Sequence, residues 1–277
     1  MRRDLAPRQN PRMIERALLG AIAAGILAAC ARRAGLLSES GRWAAFACGT
    51  LAAAAGWPWA ALLVAFFMSS TALTLWGHEE KARRTRAVLA GQRERTAAQV
   101  AANGGAFVAL ALLARDPTSP AWTFAASGAL AAASADTWST ELGILYGGPP
   151  RSIVTWGAVA PGRSGGVTAL GFAAGLLGAV FIGGLAAALV IPRWPGLAAA
   201  TIAGGFAGCV VDSLLGATMQ MRRWCGRCQE WTERRIHPCG ARAAPMAGVR
   251  WLNNDAVNFA ATVSGAAVAV AAGARWR

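Results

Sequence analysis

Of the 13 acidic residues in the chain, four occupy positions where a carboxylate is expensive. Asp136, Glu141, Asp212 and Asp255 lie inside or at the ends of apolar segments. An Asp at the centre of a spanning helix costs about 2.5–3.5 kcal/mol on the insertion scale. The other nine, Asp4, Glu15, Glu39, Glu79, Glu80, Glu94, Asp116, Glu230 and Glu233, fall in termini or polar loops and read as solvated. In GGFAGCVVDSLLGATMQ, Asp212 shares a spacing of four with Gly204, Gly208 and Gly216, one slowly drifting stripe of a helix. Glycines on that stripe admit a neighbouring helix at close range. The alternative is an Asp held for packing alone. ASADTWSTELG puts Asp136 and Glu141 just beyond an apolar run. Five apart on a regular helix they diverge by about 140 degrees, so they meet on one ion only if the helix breaks. A polar cap where a helix meets water is the bland reading.

Amides and arginines accompany these acids. WLNNDAVNF sets Asn254 and Asn258 four apart with Asp255 between them, and an N-cap explains Asn254 or Asp255 but not Asn258. Arg95, Gln99 and Asn103 repeat at four, a polar stripe that interhelical hydrogen bonds would also explain. PGRSGG, with Gly162, Arg163, Ser164 and Gly165, presents consecutive backbone N–H groups before a helix, a common form of anion site. It is not a GxxxxGK[ST] loop. Carboxylates, amides and Arg at a membrane edge suit phosphoryl transfer: oxygen ligands hold magnesium and Arg neutralises the remaining phosphate charge. In WCGRCQEWTERRIHPCG, a CxxC of Cys225 and Cys228 with His237 and Cys239 supplies four ligands for a candidate zinc site. Reduced surface thiols are the alternative.

The elements that must position these groups are apolar helices. The 277 residues are 55% hydrophobic and 14% charged, against about 25% charged in an ordinary soluble domain. Lys plus Arg number 27, for a net charge of +14, and they cluster in short runs between apolar stretches. That distribution marks loops of a polytopic membrane protein and not a nucleic-acid binder. Two histidines, His78 and His237, lie apart from any candidate nucleophilic Ser with an orienting acid, which argues against a Ser-His-Asp hydrolase. Nothing in the six cysteines resembles a secreted disulfide framework.

Spans are expected near 13–31, 43–57, 59–76, 97–114, 121–135, 167–191, 197–219 and 256–273, an all-α bundle of about seven to eight. Polar loops are expected at 77–96, 136–166 and 220–254. Residues 1–35 form a basic segment and first span, retained because no cleavage site follows, and 36–273 form the membrane-embedded catalytic domain. Lys81, Arg83, Arg84, Arg86, Arg93 and Arg95 mark the first loop, and Arg222, Arg223, Arg227, Arg234, Arg235, Arg242 and Arg250 the third. Two spans separate successive loops, so all three share one face, cytoplasmic by the positive-inside rule. Three spans before 77–96 would then leave the Arg-rich N-terminus outside. Either 43–76 crosses once or re-enters, or the N-terminus breaks the rule.

ERTAAQVAANGG, SADTWSTELG, PGRSGGVTALG, VDSLLGATMQ, CGRC with HPCG, and WLNNDAVNF occur in the order found in a polytopic family known as the ninety-second domain of unknown function. Over about 40–272 the chain resembles that family, which includes transmembrane protein nineteen and the plant phytyl-phosphate kinase of the vitamin E pathway. The resemblance implies transfer of a phosphoryl group from a nucleoside triphosphate, CTP or ATP, to a prenyl monophosphate such as phytyl, geranylgeranyl or farnesyl phosphate. By the same resemblance Asn103, Asp136, Glu141, Gly162, Gly165, Asp212, Asn254, Asp255 and Asn258 fall on motif positions. Asp136, Asp212 and Asp255 would hold magnesium, with Glu141 as a fourth catalytic acid. Asn103, Asn254 and Asn258 would orient phosphates, and Arg95, Arg163 and the PGRSGG backbone would bind their charge. Lys81 is either a further phosphate contact or part of a solvated face.

Three other readings compete. A transporter or ion channel also uses intramembrane carboxylates and amides, though no inverted repeat is visible. A membrane scaffold could bind a partner through the cysteine loop. A CDP-alcohol phosphotransferase would carry a carboxylate cluster on one helix, which this sequence lacks.

Overall fold

Helix boundaries follow local signals in the sequence. In a computed structural model of the protein, residues 11–86, 88, 94–115, 119–190 and 194–276 are described; Asp4, Arg93 and Asp116 lie outside them. Helix α1 (Pro11–Arg33) is followed by α2 (Glu39–Ala55), capped by Ser38, whose Oγ accepts the Gly41 N–H. Gly56, with φ 153°, ends α2 and starts α3 (Trp57–Leu75), which carries Pro58 in its first turn, where a missing N–H does no harm. Short α4 (His78–Arg84) follows left-handed Gly77. Helix α5 (Ala97–Leu113) opens on a reciprocal capping box between Thr96 and Gln99. Helix α6 spans Pro120–Tyr146. A two-residue ladder of β1 (Arg151–Ser152) and β2 (Gly166–Val167) closes the next loop. Then come α7 (Ala169–Leu189) and α8 (Leu197–Thr218). A three-stranded antiparallel sheet, ordered β4-β3-β5, is built from β3 (Arg222–Cys225), β4 (Glu230–Thr232) and β5 (Ala244–Ala247). Helix α9 (Asn254–Gly273) completes the bundle, capped by Asn253, whose Oδ1 accepts from Ala256 N–H at 2.9 Å.

The protein is thus a mainly helical membrane bundle. By length and composition, five described helices could cross a membrane: Arg12–Arg33, Trp57–Leu75, Ala169–Leu189, Leu197–Thr218 and Asn254–Gly273. Helices α2 and α5, with 17 residues each, stand at the lower limit for a span. The expected end of the fifth segment at 135 is corrected. Helix α6 continues unbroken to Tyr146 and stops where Gly147, Gly148 and two prolines follow. The cap expected at Asn254 or Asp255 is supplied instead by Asn253, which places both residues inside the first turn of α9. Arg95 lies before α5 in a bridge to Leu37, so the helical polar stripe starts at Gln99.

Helix α6 is the centre of the bundle, packed against α5, α7, α8 and α9. Its run from Ala125 to Ala135 is buried almost without interruption, and small side chains are what let four helices crowd round it. The glycines of α8 do what their spacing predicts. A Cβ at Gly208 would sit 2.4 Å from the Ala132 Cβ of α6 and 2.8 Å from the Ala261 carbonyl oxygen of α9. Large apolar side chains point outward instead, among them Leu18, Ile22 and Ile26 of α1, Leu177 of α7 and Phe259 of α9, as a lipid-facing surface requires.

The chain reverses at every connection of the first hairpin. Helices α1 and α2 are antiparallel, with Gly20 against Ala53 and Gly49 against Ala24. Ser38, starting α2, donates its N–H to Arg95 O, whereas the Gly56 turn lies beside Arg16 of α1. Helix α3 returns to the Arg95 end, where Thr74 meets Glu141. So 39–75 forms two opposed helices, and α1 begins at the end of the bundle away from the polar loops.

Candidate active site at the loop-bearing end of the bundle

All three polar loops gather at one end of the bundle and interlock. The Val88 carbonyl accepts from Thr232 Oγ1 at 3.2 Å and from the Glu233 N–H at 3.0 Å. Arg84 Nη1 donates to the Ile144 and Leu145 carbonyls at the end of α6, 2.9 Å each. Between these loops and the helix ends lies a cavity of about 550 Å³.

Each expected catalytic and phosphate-binding residue lines this cavity. Asp136 and Glu141 come from α6, Asp212 from α8, and Asn254, Asp255 and Asn258 from the first turns of α9. Arg95 and Asn103 enter at α5, Lys81 from α4, and Gly162, Arg163, Ser164 and Gly165 from the loop between β1 and β2. Asp212 and Asn258 meet directly: with its amide oriented to satisfy both neighbours, Asn258 donates to Asp212 Oδ2 at 3.0 Å and to the Asn254 carbonyl at 3.2 Å. Asp212 lies within coulombic reach of Asp136 and of Glu233. Several carboxylates facing one small space repel one another unless a cation joins them. Their oxygens, with the amides of Asn254 and Asn258, are hard donors of the kind magnesium takes, although among the described residues three or more acidic, histidine or cysteine ligand atoms come within 4.8 Å of one another only at Cys225, Cys228, His237 and Cys239.

The PGRSGG loop needs its glycines. Gly162 and Gly165 have φ of 81° and 77°, left-handed values that strain any residue with a Cβ. Gly165 also lies against α8, where a Cβ would come within 2.6 Å of the Ala217 N, Cα and Cβ atoms. The loop is held by Ile153 N–H to Gly165 O at 3.0 Å and Gly166 N–H to Arg163 O at 2.9 Å. Arg163 is partly desolvated and faces Arg222, both of which draw its pKa down from the usual guanidinium value.

Two residues sit differently from expectation. Lys81 is buried, which removes the solvated-face reading. Its ammonium has three donors, and they go to Leu73 O at 2.6 Å, Thr74 O at 3.0 Å and the Glu141 carboxylate. No N–H is left for a phosphate in this arrangement. Glu141 also accepts from Thr74 Oγ1 at 2.6 Å. With α6 unbroken, Glu141 turns toward α3 and α4 while Asp136 stays with Asp212, as the helical angle between them requires.

Glu233 is the residue that sequence reasoning missed. Counted among the solvated acids, it lines the cavity and accepts hydrogen bonds from the Ser164 hydroxyl and backbone and from the Gln220 side chain. Burial pushes its carboxyl above the ordinary range, against the pull of those bonds. Gln220, fully buried one residue beyond the α8 C-cap, was also missed. Glu233 sits in a polar stretch, WTERR, and Gln220 falls just past the expected span end at 219.

The chain is similar to known proteins over most of its length. The profile described as "Integral membrane protein DUF92" matches residues 22–266. The chain belongs to that family. This DUF92 protein is 31% identical over 254 residues to "Protein PGR" of Arabidopsis thaliana, covering 80% of this chain and 84% of that protein. It is 36% identical over 141 residues to "Uncharacterized membrane protein MJ0933" of Methanocaldococcus jannaschii, covering 51% of this chain and 47% of that protein. No solved structure matches it. In this DUF92 protein the matched region takes in every cavity-lining residue named above.

Proposed function

We propose that this DUF92 protein is a magnesium-dependent phosphotransferase that converts a prenyl monophosphate to the diphosphate, using CTP or ATP. The supporting observation is that acids, amides and an anion-binding loop from distant parts of the sequence line one cavity at the end of a lipid-facing bundle. Asp136, Asp212 and Asp255 would hold magnesium, which supplies charge neutralisation at the phosphate oxygens. Asn103, Asn254 and Asn258 would orient phosphates, and Arg95 and Arg163 would bind their charge; the Arg163, Ser164 and Gly166 N–H groups of the PGRSGG loop are already spent on Ala160 O, the Glu233 carboxylate and Arg163 O. Lys81 and Glu141 act as a positioning pair that ties α3 and α4 to α6.

In the reaction, an oxygen of the prenyl monophosphate forms a bond to the γ-phosphorus of the nucleotide. The bond from that phosphorus to the β-bridging oxygen breaks, and the nucleoside diphosphate leaves. A phosphomonoester has a second pKa of about 6, so near neutral pH the attacking oxygen is already ionised. The chain's own task is then to bind, align and neutralise, which is where most catalysis of phosphoryl transfer arises.

The loop-bearing end would face the cytoplasm. Arg32, Arg42, Lys81, Arg84, Arg222 and Arg227 all belong to that end, and the positive-inside rule assigns such an end to the cytoplasmic side. Purified protein incubated with labelled CTP or ATP and phytyl, geranylgeranyl or farnesyl phosphate should yield labelled diphosphate. No product across the panel, with a known prenyl-phosphate kinase active in parallel, overturns the proposal. Nucleotide-independent flux in liposomes, lost in Asp212→Asn, would assign the cavity to a transporter instead.

A further inference from the structure

We propose that Cys225, Cys228, His237 and Cys239 bind one zinc ion, and that this ion is the staple that holds Glu233 against the PGRSGG loop. The proposal is independent of the reaction assigned above.

The four side chains reach one point from two turns. The first turn closes the β3–β4 hairpin, with the Gln229 N–H donating to Cys225 O at 2.8 Å. The second runs from His237 to Gly240, whose N–H donates to His237 O at 2.8 Å with Gly240 in the left-handed region. Face to face, the turns bring one ligand atom from each residue within 4.8 Å of the others. Cys225 and Cys239 Sγ are 3.6 Å apart, and His237 Nδ1 is 3.3 Å from Cys239 Sγ. With Zn–S near 2.3 Å, a tetrahedral site separates its ligands by about 3.8 Å, so only small adjustments bring all four to the metal.

The surroundings fit the ion. His237 is buried, and its other nitrogen, Nε2, makes no hydrogen bond but has Glu230 Oε2 3.4 Å away, within a small rotation of the carboxylate support that zinc-bound imidazoles commonly have. Three thiolates and an imidazole around Zn²⁺ carry net charge −1, in a loop rich in arginine, and Arg227 reaches the Cys239 carbonyl at 3.2 Å.

The sheet has little else to stabilise it. Its strands are three or four residues long, and its ring contacts centre on the edge-to-face Trp224–Trp231 pair, 5.2 Å between ring centroids. Units this small need a metal or disulfide in place of a hydrophobic core. Glu233 follows β4 directly, so whatever fixes the hairpin fixes that carboxylate.

The test uses detergent-purified full-length protein. Elemental analysis should find one zinc per chain, and cobalt(II) substitution should give the absorption bands of tetrahedral thiolate coordination. Cys228→Ser should bring zinc to background, whereas Cys30→Ser should leave it at one. Because Cys228 is exposed, its loss removes a ligand without opening a packed core. On removal of zinc, amide hydrogen exchange should rise across 222–243 and stay unchanged in α6 to α9. A metal-free protein that takes up no added zinc overturns the proposal, as does a Cys225–Cys239 disulfide found by mass spectrometry under reducing purification. Zinc loss with unchanged exchange at 230–235 overturns the staple role.

Discussion

Ser164 donates its hydroxyl hydrogen bond to the Glu233 carboxylate across 69 residues of sequence. The contact joins the PGRSGG loop to the cysteine-bearing hairpin and gives the cavity a carboxylate on its loop side, opposite Asp212. Because burial raises the Glu233 pKa, the folded state keeps this proton to higher pH than the unfolded chain does. Its contribution to stability therefore falls as pH rises from the ordinary carboxylate range through the raised value, and the full penalty applies above it. In magnesium-free buffer that leaves zinc in place, the melting temperature of Glu233→Gln relative to the unaltered protein should climb with pH across that window and then level off. A difference that instead grows as pH falls would mean that the carboxyl is held below its ordinary value.

Lys81 and Glu141 form a buried pair, and breaking one side leaves a charge without its partner. Lys81→Met or Glu141→Gln should each destabilise by about 3–5 kcal/mol, while Lys81→Met combined with Glu141→Leu should recover much of the loss. Thermal unfolding followed by tryptophan fluorescence checks this as a double-mutant cycle. Additive losses would show that the two side chains do not depend on each other.

Asp212→Asn keeps a polar partner for Asn258 but removes one charge from the acidic wall of the cavity. On the proposed reaction it should lower turnover at least about 100-fold and raise the magnesium concentration for half-maximal rate, with little change in melting temperature. Normal magnesium dependence in this variant would remove Asp212 from the ion site.

Gly165→Ala tests the loop. Left-handed backbone costs a residue with a Cβ about 1–2 kcal/mol, and the new methyl also meets Ala217 of α8. The variant should bind nucleotide more weakly in equilibrium dialysis and melt lower. Gly35, outside the cavity, has a left-handed φ of 68° and open space around it, so Gly35→Ala is the control. It should show the backbone cost without the loss of binding.

Topology gives a fifth test. Helix α9 starts at the cavity and α1 starts at the far end, so the two termini lie on the same side of the bundle, opposite the loops. An alkaline phosphatase fused after residue 277 should be active in the periplasm of a bacterial host, and Cys228, with a membrane-impermeant chelator present throughout to strip zinc, should react with membrane-impermeant thiol reagents only after the cells are opened. Labelling of Cys228 in intact cells would reverse the orientation.

Much of this arrangement was legible in the sequence, for identifiable reasons. Apolar runs bounded by Ser38, Gly56, Thr96 and Thr168 place the helices to within a few residues, since capping and turn chemistry are local. The Gly204–Gly208–Asp212 stripe was readable because helix periodicity alone puts those residues on one face. The end of α6 was not, because SADTWSTELG looks polar enough for a loop and stays helical only because its polar side chains turn into a cavity. Lys81 and Glu233 were misread for one reason: their surroundings are set by contacts 60 and 69 residues away, which no window of sequence contains.

Three helices, α5, α7 and α9, begin at the cavity, and their first turns contribute Gln99, Gly171 and Asn254 to its wall. The partial positive charge at each of those starts belongs to the main chain. On the proposed function, a share of the attraction for phosphate would therefore be carried by peptide dipoles that no side-chain replacement can delete. Replacing Arg95 and Arg163 together should leave a residual anion affinity, to which these helix starts contribute.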